Sequence, residues 1–290
     1  MQPIYISDPA WQVTLPHRTV PLTDEWLPGL LLRCDEANDW VSGALVRYLL
    51  RAMHSTLSDL NLITPSLTFL EHFAQTLSIP ISTVVETTYQ PELARLSGVT
   101  YPIVRLDFLL KFCPKCIAQQ RLLRRTLALP NIYCCTLHHL KLQSWCPCSQ
   151  KLHFFSPKAR PFTCPTCGLD WRLLPQDEAT EQDITHDHRL LSYYMYFFSE
   201  ATPHLLFSVQ DLIGEMIRKR SWATTRNPYL LKFSGDRFRK RRVSLGLLVS
   251  ALLDLYISVD DIRIYVKNNP ESPSTGFQPK RHAPQAHRSG

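Results

Sequence analysis

Three stretches decide how this chain reads: FCPKC at 112–116, YCCTLHHLKLQSWCPC at 133–148 and FTCPTCG at 162–168. They carry eight of the nine cysteines and offer four close pairs: Cys113 with Cys116, Cys135 with His138, Cys146 with Cys148, and Cys164 with Cys167. A structural zinc ion takes four soft sulfur or nitrogen ligands in a tetrahedron, commonly as two such pairs that the fold brings together. A gap of two residues lets both donors of a pair face one ion while the intervening amides turn toward the sulfurs. Eight ligands make two closed sites, one of three cysteines with a histidine and one of four cysteines, so two Zn2+ per chain are expected. With no ligand position left for water, the expected role is structural. Burial as small core hydrophobes suits a lone cysteine better than four close pairs. Spacing leaves choices open. Cys134 adjoins Cys135, His139 adjoins His138, the Cys146–Cys148 gap is one residue short, and the pairs can combine in sequence or interleave. Cys34, among Leu31, Leu32 and Ala37, reads as a core thiol.

The flanks read as helices, so the fold class is mainly α, with helix-turn-helix-like domains on both sides of a small central double zinc-binding module. Residues 1–105 form the N-terminal helical part, 106–175 the zinc module, 176–267 a second helical part, and 268–290 a Pro- and Ser-rich tail predicted to be disordered. Thr23 is expected to cap a first helix with Asp24 and Glu25 in its first turn. Leu45, Leu49 and Met53 make the apolar stripe of a second helix around 41–54. Thr64-Pro65 opens a third, buried through Leu67, Leu70, Phe73, Ala74 and Leu77, and Pro80 ends it before a short helix to Val85. That pair is a helix-turn-helix candidate near 64–90, and a plain αα-hairpin fits as well. Ser208 with Asp211, and Ser258 with Asp261, read as capping boxes.

Several function classes are excluded by what is missing. The chain has nine glycines in 290 residues and no two stand two apart, so neither G-x-G-x-x-G nor a P-loop can be written. No histidine has a glutamate two residues on, which removes the zinc deaminases, and H-E-x-x-H and G-x-S-x-G are absent. His186-Asp187-His188 reads as the start of a helix before Leu190 rather than a metal pair. A carboxylate nuclease stays as a weak option without a motif. The first residues show no basic region followed by an apolar run, and the longest apolar stretch, Leu245 to Val259, carries Asp254. The expectation is therefore no membrane association and a cytoplasmic, reducing setting, where clustered cysteines favour metal over disulfides.

One further feature stands apart. From Arg218 to Arg242 there are ten Lys or Arg against one acid, Asp236, giving +9 where the whole chain has +7. Trp222, Tyr229, Phe233 and Phe238 are interleaved, a composition suited to phosphate contact and base stacking. Arg218, Lys219, Arg220, Arg237, Arg239, Lys240, Arg241 and Arg242 are the candidate nucleic-acid residues, and a solvated basic loop is the alternative. It leads into Leu245, Leu248, Val249 and Leu252, part of a second helix-turn-helix candidate. Arg121, Arg124 and Arg125 beside the first cysteine pair are a weaker basic echo.

The order C-P-x-C, a basic stretch ending L-x-L-P, C-x-x-H, Leu, C-P-x-C (here shortened to Cys146-Pro147-Cys148) and C-x-x-C-G resembles the zinc region of the TniQ family. It stands here as Cys113-Pro114-Lys115-Cys116, Arg124-Arg125 to Leu127-Ala128-Leu129-Pro130, then Cys135 to His138 and Leu142. Upstream, Asp24-Glu25 and Leu31-Leu32-Arg33 through Asn38 are similar to the family's N-terminal helix, and the resemblance spans roughly residues 20 to 175. It implies a non-enzymatic target-selection adaptor of transposons related to the TnsD class, including CRISPR-associated ones. Such an adaptor links target DNA or an RNA-guided CRISPR effector complex to an AAA+ ATPase (TnsC-like) that recruits the transposase. The resemblance is compatible with a homodimer. Asp35, Glu36 and Asp39, expected to be exposed, are the candidate ATPase-facing residues. The alternative is a stand-alone zinc-containing DNA-binding transcriptional regulator.

Overall fold

The computed structural model describes residues 15–97, 110–200, 203–219 and 245–269. The first helix, α1 (Leu27–Ala37), begins later than Thr23 would set it. Pro28 sits in its first turn and Asp24 takes a left-handed φ of 60°, so the chain turns sharply before the helix starts. Asp24 and Glu25 are therefore not first-turn acids. Glu25 instead bridges, antiparallel, to Arg124. At the far end of α1, Asp35 is fully buried and accepts from the amides of Gly43 (2.6 Å) and Leu45 (2.9 Å), capping α2 (Ala44–Ala52) from outside. Gly43 has φ 74°, and a Cβ there would lie 2.8 Å from Phe155 Cβ, so only glycine fits this turn.

Ser66, not Thr64-Pro65, caps α3 (Leu67–Leu77) by accepting from Phe69 N at 3.2 Å. Phe69, Leu70, Phe73, Ala74 and Leu77 are buried, while Leu67 is 57 % exposed at the solvent side of the first turn. Ser78 in a left-handed conformation ends α3, and the five-residue α4 (Ile81–Val85) packs back against it. α5 (Gln90–Ser97) follows. The central segment is mostly turns around two short helices, α6 (Pro114–Gln120) and α7 (Arg125–Ala128), and a hairpin of β1 (Cys134–Cys135) and β2 (Leu140–Lys141). The hairpin pairs Cys134 with Lys141 and Cys135 with Leu140.

Helices return with α8 (Glu181–Glu200), α9 (Pro203–Lys219), α10 (Leu245–Asp254) and α11 (Val259–Asn268). The Ser258–Asp261 capping box forms at the start of α11. The Ser208–Asp211 one does not, because Ser208 is buried inside α9 rather than ahead of it. A box at Thr180 and Asp183 opens α8 instead, with Asp183 N donating to Thr180 Oγ1 and Thr180 N to Asp183 Oδ2, each at 3.1 Å. Leu245, Leu248, Val249 and Leu252 are all buried in α10.

Two cores organise these elements. The larger joins Leu27, Leu31 and Cys34 of α1 with Leu45, Phe73, Cys113, Cys135, Tyr194, Ile213 and Leu248, so the N-terminal and C-terminal helices meet around the first cysteine group. The smaller collects Leu32, Phe112, Ile117, Phe162, Cys164 and Trp171. Trp171 stacks on Phe112 at 4.6 Å and meets Phe162 edge-on at 5.7 Å. Adjacent residues of α1 thus enter different cores. Among the described residues no helix is long and apolar enough to cross a membrane.

Candidate metal centres

Cys113 is the N-cap of α6, Pro114 begins it, and Cys116 lies in its first turn, so a short helix presents both sulfurs at one end. The β1–β2 hairpin supplies the second pair. Cys135 ends β1, and its carbonyl accepts from His138 N (3.2 Å) and His139 N (2.7 Å), which folds the chain back over the sulfur. His139 takes φ 54° and leaves the group, while His138 Nδ1 lies 3.4, 3.3 and 3.6 Å from the sulfurs of Cys113, Cys116 and Cys135. Cys116 and Cys135 sulfurs are 3.8 Å apart. The second group is built from two turns. Cys146 and Cys148 flank one tightened by Ser149 N to Cys146 O, and Cys164 and Cys167 flank another closed by Gly168 at φ 74°. The sulfur distances there are 3.5 Å for Cys146–Cys167 and 3.6 Å for Cys148–Cys164.

These separations test the fit of a metal. Four ligands around an ion with metal–sulfur bonds of about 2.3 Å and metal–nitrogen bonds of about 2.0 Å stand roughly 3.5–3.8 Å apart along the tetrahedron's edges. A disulfide would need about 2.0 Å. Each group of four, Cys113, Cys116, Cys135 and His138, and Cys146, Cys148, Cys164 and Cys167, could hold a metal ion, with every ligand atom within 4.8 Å of the others. The pairs combine in sequence, and Cys135 and His138 rather than their neighbours join the first group. Cys134 points elsewhere and burial pushes its thiol up to about 12.

Electrostatics prepare both groups for a cation. Hydrogen bonds from the Cys113 and Cys116 thiols, then the amides of His138 and Leu137, push Cys135 well down toward thiolate despite burial. Burial works against Cys164, yet the amides of Cys167 and Thr166 hold it down at about 7. Amide donors aimed at sulfur lower the cost of gathering several negative charges. His138 Nε2 lies 2.9 Å from Gln119 Oε1, and donation of its proton there leaves Nδ1 free as a ligand. The two groups differ in access: Cys113, Cys116 and Cys135 are buried, whereas Cys148 and Cys167 are exposed.

Residues that a sequence reading places elsewhere turn out to hold the first group in position. Trp26 N donates to Leu123 O at 2.8 Å and Arg125 N to Asp24 O at 2.7 Å, stitching the entry of α1 to the chain just after α6. A Cβ on Gly29 would lie 2.8 Å from Leu123 Cβ, so the helix approaches this segment as closely as glycine allows. The basic echo is used up here: Arg121 pairs with Glu36 (2.7 Å) and Asp170 (3.1 Å), Arg124 with Asp24 (2.8 Å) and Arg125 with Glu92 (2.8 Å). Buried Asp35 is likewise no docking residue. Its carboxyl, pushed up to about 6 by burial and held back by the Leu45 and Gly43 amides, closes a helix end. Asp187 lies within α8, beyond its first turn, and is fully buried with Oδ1 3.0 Å from His186 Nδ1. Arg218 and Lys219 end α9. Arg220, Arg237, Arg239, Lys240, Arg241 and Arg242 lie outside the described residues, as does the 270–290 tail.

No curated protein matches the chain. The TniQ family model matches residues 16–142, a stretch that holds α1 to α7, the hairpin and the whole first metal group, and stops short of the second. Over residues 16–142 the chain is similar to the TniQ family, which is associated with target selection in transposition.

Proposed function

We propose that this protein is a non-enzymatic adaptor of transposition that holds two zinc ions and joins a target-recognition complex to an AAA+ ATPase regulator of the transposase. The observation that carries the reading is the coincidence of the TniQ match with one structural unit. The matched residues contain α1, its stitches to Leu123 and Arg125, and the Cys113–Cys116–Cys135–His138 group. Zinc fits the donor set because thiolate and imidazole in a tetrahedron suit it better than they suit hard cations. When bound, each ion supplies a cross-link between chain segments. Four protein donors fill each site, which supports a scaffold rather than a catalyst. The basic stretch Arg218–Arg242 supports a nucleic-acid contact, to target DNA or to an RNA-guided complex.

The test is a reconstitution with a TnsC-like AAA+ ATPase. The zinc-loaded protein should retain that ATPase in a pull-down and direct its assembly to a target. Binding to one duplex site with no ATPase recruitment would instead support a stand-alone regulator, and metal-dependent cleavage of DNA would support a nuclease.

A further inference from the structure

One face of α8 carries Arg189, Ser192, Tyr193, Tyr196 and Ser199, which follow each other at helical spacing and line a groove of about 640 Å3 against α11. The stripe is about 15 Å long at 1.5 Å per residue. Arg263 of α11 lies across it, its guanidinium 5.3 Å from the centre of the Tyr196 ring. Arg189 is flanked by two tyrosines. Its guanidinium sits 5.8 Å over the Tyr256 ring, and on the groove side it neighbours Tyr193, whose hydroxyl donates to Ile257 O. No carboxylate pairs with Arg189 among the described residues. The one acid lining the groove, Asp260, is 82 % exposed and rests against Arg263 at 3.2 Å.

A partly buried guanidinium held by an aromatic ring, with Glu181 and Asp254 lining a second pocket on its other side but no carboxylate paired to it among the described residues, can take an anion arriving from outside. We infer that the α8–α11 groove binds phosphodiester groups of a nucleic acid, with Arg189 and Arg263 as the charged contacts; the Ser192 and Ser199 hydroxyls already donate to Arg189 O and Tyr196 O. Tyr193 and Tyr196 are buried, so their rings support the arginines and are not exposed for base stacking. The contact is therefore to backbone and independent of sequence. This goes beyond the proposed adaptor role and is separate from the Arg218–Arg242 stretch.

The experiment uses the full chain and fluorescein-labelled single-stranded and duplex DNA of about 20 nucleotides, with anisotropy read from about 50 to 200 mM salt. Arg189→Gln should weaken binding roughly five- to tenfold and reduce the salt slope by about one, and adding Arg263→Gln should reduce it by about one more. Arg189→Lys should recover part of the affinity, since charge is kept and the planar fork is lost. Unchanged melting curves keep the comparison on binding. Neutralising Arg239, Lys240, Arg241 and Arg242 in parallel separates the basic stretch from the groove. Wild-type affinity and slope in the Arg189→Gln/Arg263→Gln protein overturn the inference, whatever the basic stretch does, and so does a wild type that binds neither oligonucleotide. If Arg189→Gln alters binding of inorganic phosphate but not of DNA, the groove is a small-anion site and the nucleic-acid reading falls.

Discussion

Asp187 Oδ2 accepts hydrogen bonds from the backbone amides of Tyr133 (2.7 Å) and Cys134 (2.6 Å), so a buried carboxylate of α8 holds the strand that ends at Cys135. The hairpin's place relative to α6 depends on this clamp, and with it the meeting of Cys135 and His138 with Cys113 and Cys116. Asp187→Ala leaves two amide donors without a partner, the one at Cys134 buried and the one at Tyr133 part-buried, which costs roughly 2–4 kcal/mol. Outer contacts that fix a ligand's orientation also tune metal affinity by about 10- to 100-fold. The variant should lose metal from the first group to a chelator faster than wild type while the second group behaves as before. Equal release from both groups in variant and wild type would show the clamp to be irrelevant to the metal.

The exposure difference between the groups gives a second expectation. Cys148 and Cys167 are open to solvent, while the three cysteines of the first group are buried in the larger core. Zinc analysis of the purified protein should give about two ions per chain, and fewer than about 1.5 would rule out two closed sites. A chelator should remove the exposed ion first. Cys113→Ser should lower the melting temperature more than Cys164→Ser, because metal binding there is coupled to joining the helical parts. Cys34→Ser should matter much less: that thiol is buried against Thr19 Oγ1 and belongs to no metal group. Preferential loss from the buried group would reverse the proposed order.

The metal pattern was legible because knuckles are local: two donors, a fixed gap and a turn lie within a few residues. The helices of the N-terminal part and the Ser258–Asp261 cap were legible for the same reason. Buried acids were not. A charge on an amphipathic helix is normally assigned to the solvent face, yet Asp35 and Asp187 point inward because amides on other segments, at Gly43, Leu45, Tyr133 and Cys134, reach them. Those partners come from contacts that spacing does not encode. Thr180 and Asp183 follow the same rule as Ser258 and Asp261, but the polar run around them hides the helix start, whereas Ser208 satisfies the rule in a place where α9 has already begun.

The buried position of Asp35 changes how a partner surface should be sought. Asp35→Asn removes charge from two short amide contacts and should destabilise the protein by roughly 2–4 kcal/mol. Asp39 is exposed at φ 56°, a conformation asparagine tolerates, so Asp39→Asn should leave stability within about 0.5 kcal/mol of wild type. Glu36 lies between these cases, paired with Arg121 at 2.7 Å and partly exposed. Urea unfolding of the three single variants measures the ranking. A neutral Asp35→Asn would mean that the α2 cap carries no net stability. Loss of ATPase recruitment in an Asp35 variant is informative only alongside such a measurement.

Glu25 gives the fold a pH signature. It is 1 % exposed, and burial pushes its carboxyl up to about 7, even though the Arg33 guanidinium at 3.0 Å and the Leu22 amide pull it down. Between an ordinary carboxylate value and about 7, the folded chain keeps a proton that the unfolded chain has released. The stability linked to this proton is full below the unfolded value and is lost as pH rises through the folded one. Glu25→Gln abolishes the titration while keeping the side chain's size. From about pH 5 to about pH 8, wild type should therefore lose stability relative to Glu25→Gln, by up to about 3 kcal/mol for a displacement of this size. Asp35, pushed up to about 6 by burial, titrates in the same window but is common to both proteins, as are the metal groups, so the difference isolates Glu25. The measurement is the free energy of urea unfolding at several pH values with zinc held constant. Parallel profiles would mean that Arg33 and the Leu22 amide offset the burial of Glu25 completely, and the carboxylate would then stay ionised throughout the range.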